Sequence, residues 1–138
     1  MITAVDTNVL LDVFAGDPVF RARSLAALRE CLADGPLVAC EAVWAELYAA
    51  FETAAAADRA LDAIPVALAP LGRAAAAAAG AAWRAYRRAG GSRERVIADF
   101  LVGAHAAHQA DRLLTRDRGF HRLAFAGLEI VDPSVTSG

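Results

Sequence analysis

Asp6, Glu46, Asp99 and Asp117 lie in four distant segments of a 138-residue chain, and no histidine or cysteine set with metal-ligand spacing accompanies them. Carboxylates without nitrogen or sulfur co-ligands suit a hard cation such as Mg²⁺ or Mn²⁺. A Mg²⁺ ion held by a few carboxylates keeps part of its water shell and takes other ligands from phosphate. The chemistry open to such a set is metal-assisted hydrolysis of a phosphodiester. Composition narrows the field further. All 14 basic residues are arginine and there is no lysine. A Walker A loop, a pyridoxal Schiff base and an S-x-x-K hydrolase are therefore excluded. A phosphatase- or receiver-like use of Asp6 as nucleophile lacks its lysine too.

The elements that must position these acids read as short strands alternating with helices. Ile2 to Val5 is β-favouring and ends at Asp6; Asn8 to Phe14 is helix-compatible. Asp17-Pro18 opens a helix to about Ala33, since proline suits a first turn. Leu37 to Cys40 is a strand, Glu41 to about Ala57 a helix, and Asp58 to Ile64 a shorter one. Pro65 to Leu68 is extended. Pro70 opens an alanine-rich helix to about Ala89, alanine being the best helix former, and Gly90-Gly91-Ser92 breaks it. Arg95 to Ala110 is a helix, Leu113 to Thr115 a strand, Asp117 to Leu123 a short helix and Leu128 to Val131 a last strand. Pro133 to Gly138 reads as a frayed tail. Strands separated by helices predict one α/β domain over residues 1–132, with a mostly parallel sheet of four to five short strands and helices on both faces.

On that framework Asp6 and Asp117 fall at the carboxyl ends of two strands, where open α/β sheets bind ligands. Aspartate is also common in strand–helix turns and as an N-cap. Glu46 lies on the flank of a helix whose apolar arc is Val43, Trp44, Leu47, Tyr48 and Phe51; an ordinary boundary glutamate would sit there equally well. Asp99 stands in a first helical turn above Gly103, Ala106 and Ala110, where the helix dipole alone would favour an acid. His105 and His108 project from the other side of that helix and read as surface or boundary residues; His121 shows no pattern.

Bulk properties agree with an intracellular globule. The chain is 57 % hydrophobic, but alanine supplies 36 of those residues. The longest stretch without a charged residue is Phe100 to Ala110, far short of the roughly 20 needed to span a bilayer. No basic region precedes the apolar N-terminus, and Asp6 and Asp12 interrupt it, so no signal peptide is expected. Cys31 and Cys40 read as buried free thiols, consistent with the cytoplasm. Residues 1–70 carry 10 acids against 4 arginines and residues 71–138 carry 6 against 10, a split that fits a metal site rimmed by phosphate contacts and fits chance equally.

Four segments resemble one family. Val5-Asp6-Thr7-Asn8-Val9-Leu10-Leu11-Asp12, Val43-Trp44-Ala45-Glu46-Leu47, Ala98-Asp99-Phe100-Leu101-Val102-Gly103 and Leu114-Thr115-Arg116-Asp117-Arg118-Gly119-Phe120 are similar in order and spacing to PIN domains. Within that family they most resemble the toxin ribonucleases of type II toxin–antitoxin pairs, the VapC family. The resemblance covers essentially the whole chain. It implies a PIN-like three-layer sandwich, a Mg²⁺- or Mn²⁺-dependent endoribonuclease, a homodimer and inhibition by a VapB-like antitoxin. Asp6, Glu46, Asp99 and Asp117 match the acidic quartet, as catalytic and metal-binding residues; Thr7, Asn8 and Thr115 match polar positions beside it. Gly119 stands where some relatives carry a further acid, which puts a complete second metal site in doubt. Arg93, Arg95, Arg116 and Arg118 are candidates for RNA phosphate contacts. A non-catalytic PIN-like module that binds RNA or protein is the alternative; the intact quartet speaks against it.

Overall fold

The structure, a computed structural model, describes residues 1–135. In chain order the elements are β1 (Thr3–Val5), α1 (Thr7–Phe14), α2 (Arg21–Asp34), β2 (Leu37–Ala39), α3 (Glu41–Ala50), α4 (Ala54–Asp62), β3 (Val66–Leu68), α5 (Arg73–Arg88), α6 (Ile97–Gln109), β4 (Arg112–Leu114), α7 (Arg118–Ala124) and β5 (Ile130–Val131). The strands form one sheet in the order β3-β2-β1-β4-β5, and every pairing is parallel. The chain winds outward from β1 through β2 to β3, then returns to the other side of β1 to lay down β4 and β5. The reversal falls between β1 and β4, and crevices at such reversals are the ligand sites of open α/β sheets.

Successive strand side chains point to opposite faces, yet Thr3, Ala4 and Val5 are all buried. Both faces of the central strand are therefore covered, as a parallel sheet requires. One core cluster joins β1, β2 and β4 to α1, α2 and α3 through Val9, Leu10, Leu28, Val43, Leu47 and Leu113. A second lies among α5, α6 and α7, where Ala75 and Ala79 meet Phe100 and Phe120. Each fully buried Leu or Phe contributes about 1.5–3 kcal/mol. Gly103 on α6 permits a close approach of α7: a Cβ there would run into the Phe125 ring and stand 2.9 Å from His121 Nδ1.

Several boundaries differ from the sequence reading, each because a side chain competes for helical backbone. Asp17 does not open α2; its carboxylate accepts the Val19 and Phe20 N–H groups (2.8 Å each) and holds a turn, so the helix starts at Arg21. The helix expected over Glu41 to Ala57 breaks at Phe51, and Thr53 caps α4 by accepting the Ala56 N–H (3.1 Å). α5 begins at Arg73 rather than Pro70, since Glu41 takes the Leu71 N–H and Gln109 the Gly72 N–H. His105 is buried, not at the surface. In the part of the expected tail that is described, the Asp132 carboxylate accepts the Ser134 N–H and hydroxyl, and Arg23 donates to the Ser134 carbonyl; the remainder of the tail lies outside the described residues. No helix of the described residues is long and apolar enough to cross a membrane.

Candidate active site

Asp6 ends β1 and caps α1. Its N–H donates to the Leu114 carbonyl (2.9 Å), so sheet pairing itself carries it to the end of β4. Its Oδ1 accepts the Thr7 N–H (2.7 Å), and its Oδ2 accepts the Thr115 hydroxyl (2.8 Å) with the Asn8 amide at 3.4 Å. Thr115 is fully buried, and its Oγ1 also accepts the Asp117 N–H (3.0 Å). One hydroxyl thus locks the Asp6 carboxylate to the backbone of Asp117. Asn8 adds a second tie, accepting the Arg116 N–H at 3.1 Å.

Glu46 comes from α3. The residue as a whole is exposed, but its head is tucked against Thr7, whose hydroxyl donates to Oε1 (3.0 Å). Burial of that head pushes its pKa up; the Thr7 hydrogen bond opposes the rise, and the charges of Asp6 and Asp99 add to it. Asp99 sits in the first turn of α6 and accepts the Val96 N–H (3.0 Å). Asp117 is gripped by both terminal nitrogens of Arg95, whose guanidinium lies 4.2 Å over the Phe120 ring.

The quartet is thus brought to one end of the sheet, as expected, but it is not a closed cage. Among the described residues no three His, Cys, Asp or Glu side chains stand as a ready metal-holding cluster. The donor chemistry nevertheless fits a hard divalent ion. Asp6, Glu46 and Asp99 are all-oxygen donors close enough that two of them raise the pKa of the third. Among the described residues no salt bridge reaches Glu46 or Asp99; at this end Arg95 pairs with Asp117, and the His121 ring stands beside Asp6. A patch of like charge with so little local compensation is what a divalent cation would neutralise.

The four candidate phosphate-binding arginines separate. Arg93 and Arg95 lie on the α5–α6 connection beside the site. Arg116 is committed to Asp12 through two bonds (2.7 and 2.9 Å) and stacks over Phe20. Arg118 faces a different cleft, with Arg23, Glu30 and Asp132.

Two residues escaped the sequence reading. Asp12 is buried and holds both Arg116 and the Ser24 hydroxyl (2.7 Å); its signal was the i, i+4 relation to Asn8 on α1. His121 is buried with Nε2 3.4 Å from Asp6 Oδ2 and Nδ1 unpartnered. It stands one turn after Asp117, and only that spacing pointed to it.

The chain belongs to a known family. The PIN domain family model matches residues 3–126, and the chain is a member of that family. The fold is shared with solved structures. VapBC2 from Rickettsia felis, bound to a DNA fragment from its promoter, superposes with a TM-score of 0.75 at 17% identity, covering 96% of this chain and 98% of that one. VapBC-1 from nontypeable Haemophilus influenzae gives 0.75 at 17%, over 98% and 100%. A toxin–antitoxin complex from Klebsiella pneumoniae gives 0.64 at 21%, over 95% and 97%. No curated protein matches the sequence.

Proposed function

We propose that this chain is a divalent-metal-dependent endoribonuclease and the toxin of a toxin–antitoxin pair. The observation that carries the reading is the placement of Asp6, Glu46 and Asp117 at the β1–β4 reversal, where Thr7 links Glu46 to Asp6 and Thr115 links Asp6 to the Asp117 backbone, with the Asp99 charge close enough to act on Glu46. Asp6 and Asp99 would hold Mg²⁺ or Mn²⁺, joined by Asp117 when Arg95 releases it, and Glu46 would either ligate the ion or orient the attacking water. Such an ion supplies Lewis-acid stabilisation of the charge that develops on the phosphodiester.

The chain's own groups do the remaining work. Thr115, Asn8 and the Thr7 N–H fix the Asp6 carboxylate, so little reorganisation is left for the reaction. Glu46 has one oxygen committed to Thr7 and the other free. Its raised pKa brings it nearer the working pH, which suits a base that orients a water and takes its proton. Membership of the PIN family supports hydrolysis of nucleic acid. Fold likeness to VapBC and toxin–antitoxin complexes supports an antitoxin partner; the homodimer and the cytoplasmic setting rest on the family resemblance alone.

Incubation of purified protein with RNA and Mn²⁺ tests the activity. Wild type should cleave and Asp6→Asn should not, while Mn²⁺ should raise the melting temperature of the wild type by mass action on the folded state. One observation favours the non-catalytic alternative: Arg95 already occupies Asp117. RNA that is bound but stays intact with Mn²⁺ would decide for it.

A further inference from the structure

The connection from α5 to α6 folds back over α5. The Gly91 N–H donates to the Tyr86 carbonyl (2.9 Å), and the Tyr86 hydroxyl donates to the Ser92 carbonyl (3.0 Å). A Cβ at Gly91 would overlap the Tyr86 ring, so glycine alone allows so close a fold. Beneath the connection is a cavity of about 380 Å³, within the roughly 300–1,000 Å³ typical of ligand pockets. Trp83 and Tyr86 line it, with Arg87, Arg93 and Arg95 among its other walls. Both rings are braced from behind by Phe100, at 6.4 and 5.6 Å between centroids. The Arg87 guanidinium stands 4.5 Å over the Trp83 ring. The cavity adjoins the acidic site: its wall residue Arg95 holds Asp117, and the N–H of its wall residue Val96 donates to Asp99.

We propose that this cavity binds a nucleotide of the RNA substrate next to the scissile phosphodiester, the base against Trp83 and Tyr86 and a phosphate on Arg87 and Arg93. The proposal rests on the ribonuclease reading of the adjacent acids. Aromatic faces combined with guanidinium groups are the elements that hold single-stranded nucleic acid. Charge chooses the direction of the strand. The α3–α4 side, residues 41–62, carries five acids and one arginine, whereas residues 73–95 carry six arginines and one acid. A polyanion reaching the acidic site is repelled by the first side and drawn along the second. An acidic peptide would satisfy the arginines without using the rings.

The chain has two tryptophans, Trp44 and Trp83, so Trp44→Phe leaves Trp83 as the only tryptophan reporter. In that background, with EDTA to prevent cleavage, a six-nucleotide single-stranded RNA should quench Trp83 saturably. Trp83→Ala, tested by filter binding, should weaken binding roughly tenfold with the salt slope unchanged. Arg87→Ala and Arg93→Ala, both at exposed positions, should each weaken it and lower the slope of log K against log salt by about 1. These two keep the test standing if Trp83→Ala fails to fold. With Mn²⁺ they should raise KM and spare kcat, while Asp99→Asn should lose cleavage and keep the quenching. RNA cleaved normally with Trp83 emission unmoved and KM unchanged in both arginine variants overturns the cavity assignment and leaves the ribonuclease reading intact. Quenching without any cleavage by wild type sinks the ribonuclease reading and leaves a nucleotide site. A hexaglutamate peptide that quenches as tightly as the RNA gives the cavity to a protein partner and overturns the proposal.

Discussion

Arg116 grips Asp12 and Arg95 grips Asp117, each through two hydrogen bonds, on neighbouring sides of the same strand end. The chemistry is identical and the surroundings are not. The Asp12 side chain is 4% exposed and also accepts the buried Ser24 hydroxyl; the Asp117 side chain is 32% exposed and its partner 30%. In the first pair the acid is sealed, although Arg116 itself stays 27% exposed. This pair staples α1 and α2 to the end of β4, and removing one partner strands a charge away from water. The second is open to solvent, which screens it, so Arg95 can exchange Asp117 for a phosphate and Asp117 can exchange Arg95 for another cation. What separates the two ion pairs is burial of the acid and a third partner, not geometry.

That contrast can be broken at its strong side first. Asp12→Asn should cost about 3 kcal/mol, a fall in melting temperature on the order of 10 °C for a chain of this size, while the folded fraction keeps its cleavage rate. A loss of cleavage at unchanged stability would place Asp12 in the site instead. Thr115→Val comes next, since it removes the clamp on Asp6 and the acceptor of the Asp117 N–H. It should cost about 1–2 kcal/mol and weaken Mn²⁺ binding by roughly 10–100-fold, followed by titrating the melting temperature with Mn²⁺.

Arg95→Gln tests the weak side. Its effect on stability should stay under about 1 kcal/mol, and the Mn²⁺ titration midpoint should move to lower concentration because Asp117 is freed. A stability loss matching that of Asp12→Asn would erase the distinction between the two pairs. The smallest effect belongs to His105, which is far from both. Burial holds its pKa below the ordinary 6.5, against the opposing pull of the Ala69 backbone and Glu41. The folded chain then keeps it neutral where the unfolded chain has begun to bind a proton. Its share of stability is full above about pH 6.5 and falls as the pH drops toward the folded value. Urea denaturation should show that acid slope, and His105→Gln should flatten it.

The distribution of legible and illegible features follows the same physics. The alternation of apolar runs and helical segments made the parallel sheet readable, and Asp6 and Asp117 could be placed at strand ends because a strand end is local. Glu46 and Asp99 are ambiguous on position alone, as helix-flank and first-turn acids are ordinary; only the resemblance of the four motifs in order to PIN domains singles them out. Side-chain competition was not readable: whether Asp17 opens a helix or holds a turn depends on which N–H groups it reaches. Nor was partnership at long range. Nothing in the spacing of Arg116 and Arg95 says that one pairs with a buried acid 104 residues away and the other with a half-exposed one 22 residues away. The cavity under the α5–α6 connection was equally hidden, because Trp83 and Arg93 meet only through the fold-back at Gly91.

The central claim is that the acids at the β1–β4 reversal cut RNA with a divalent ion. Its most direct test is a single-turnover cleavage assay with Mn²⁺, run on wild type and Asp99→Asn at matched folded fraction. The account predicts cleavage by the wild type and a rate lower by roughly a thousandfold or more in the variant, several kcal/mol of lost transition-state stabilisation. Equal rates in the two proteins would contradict it.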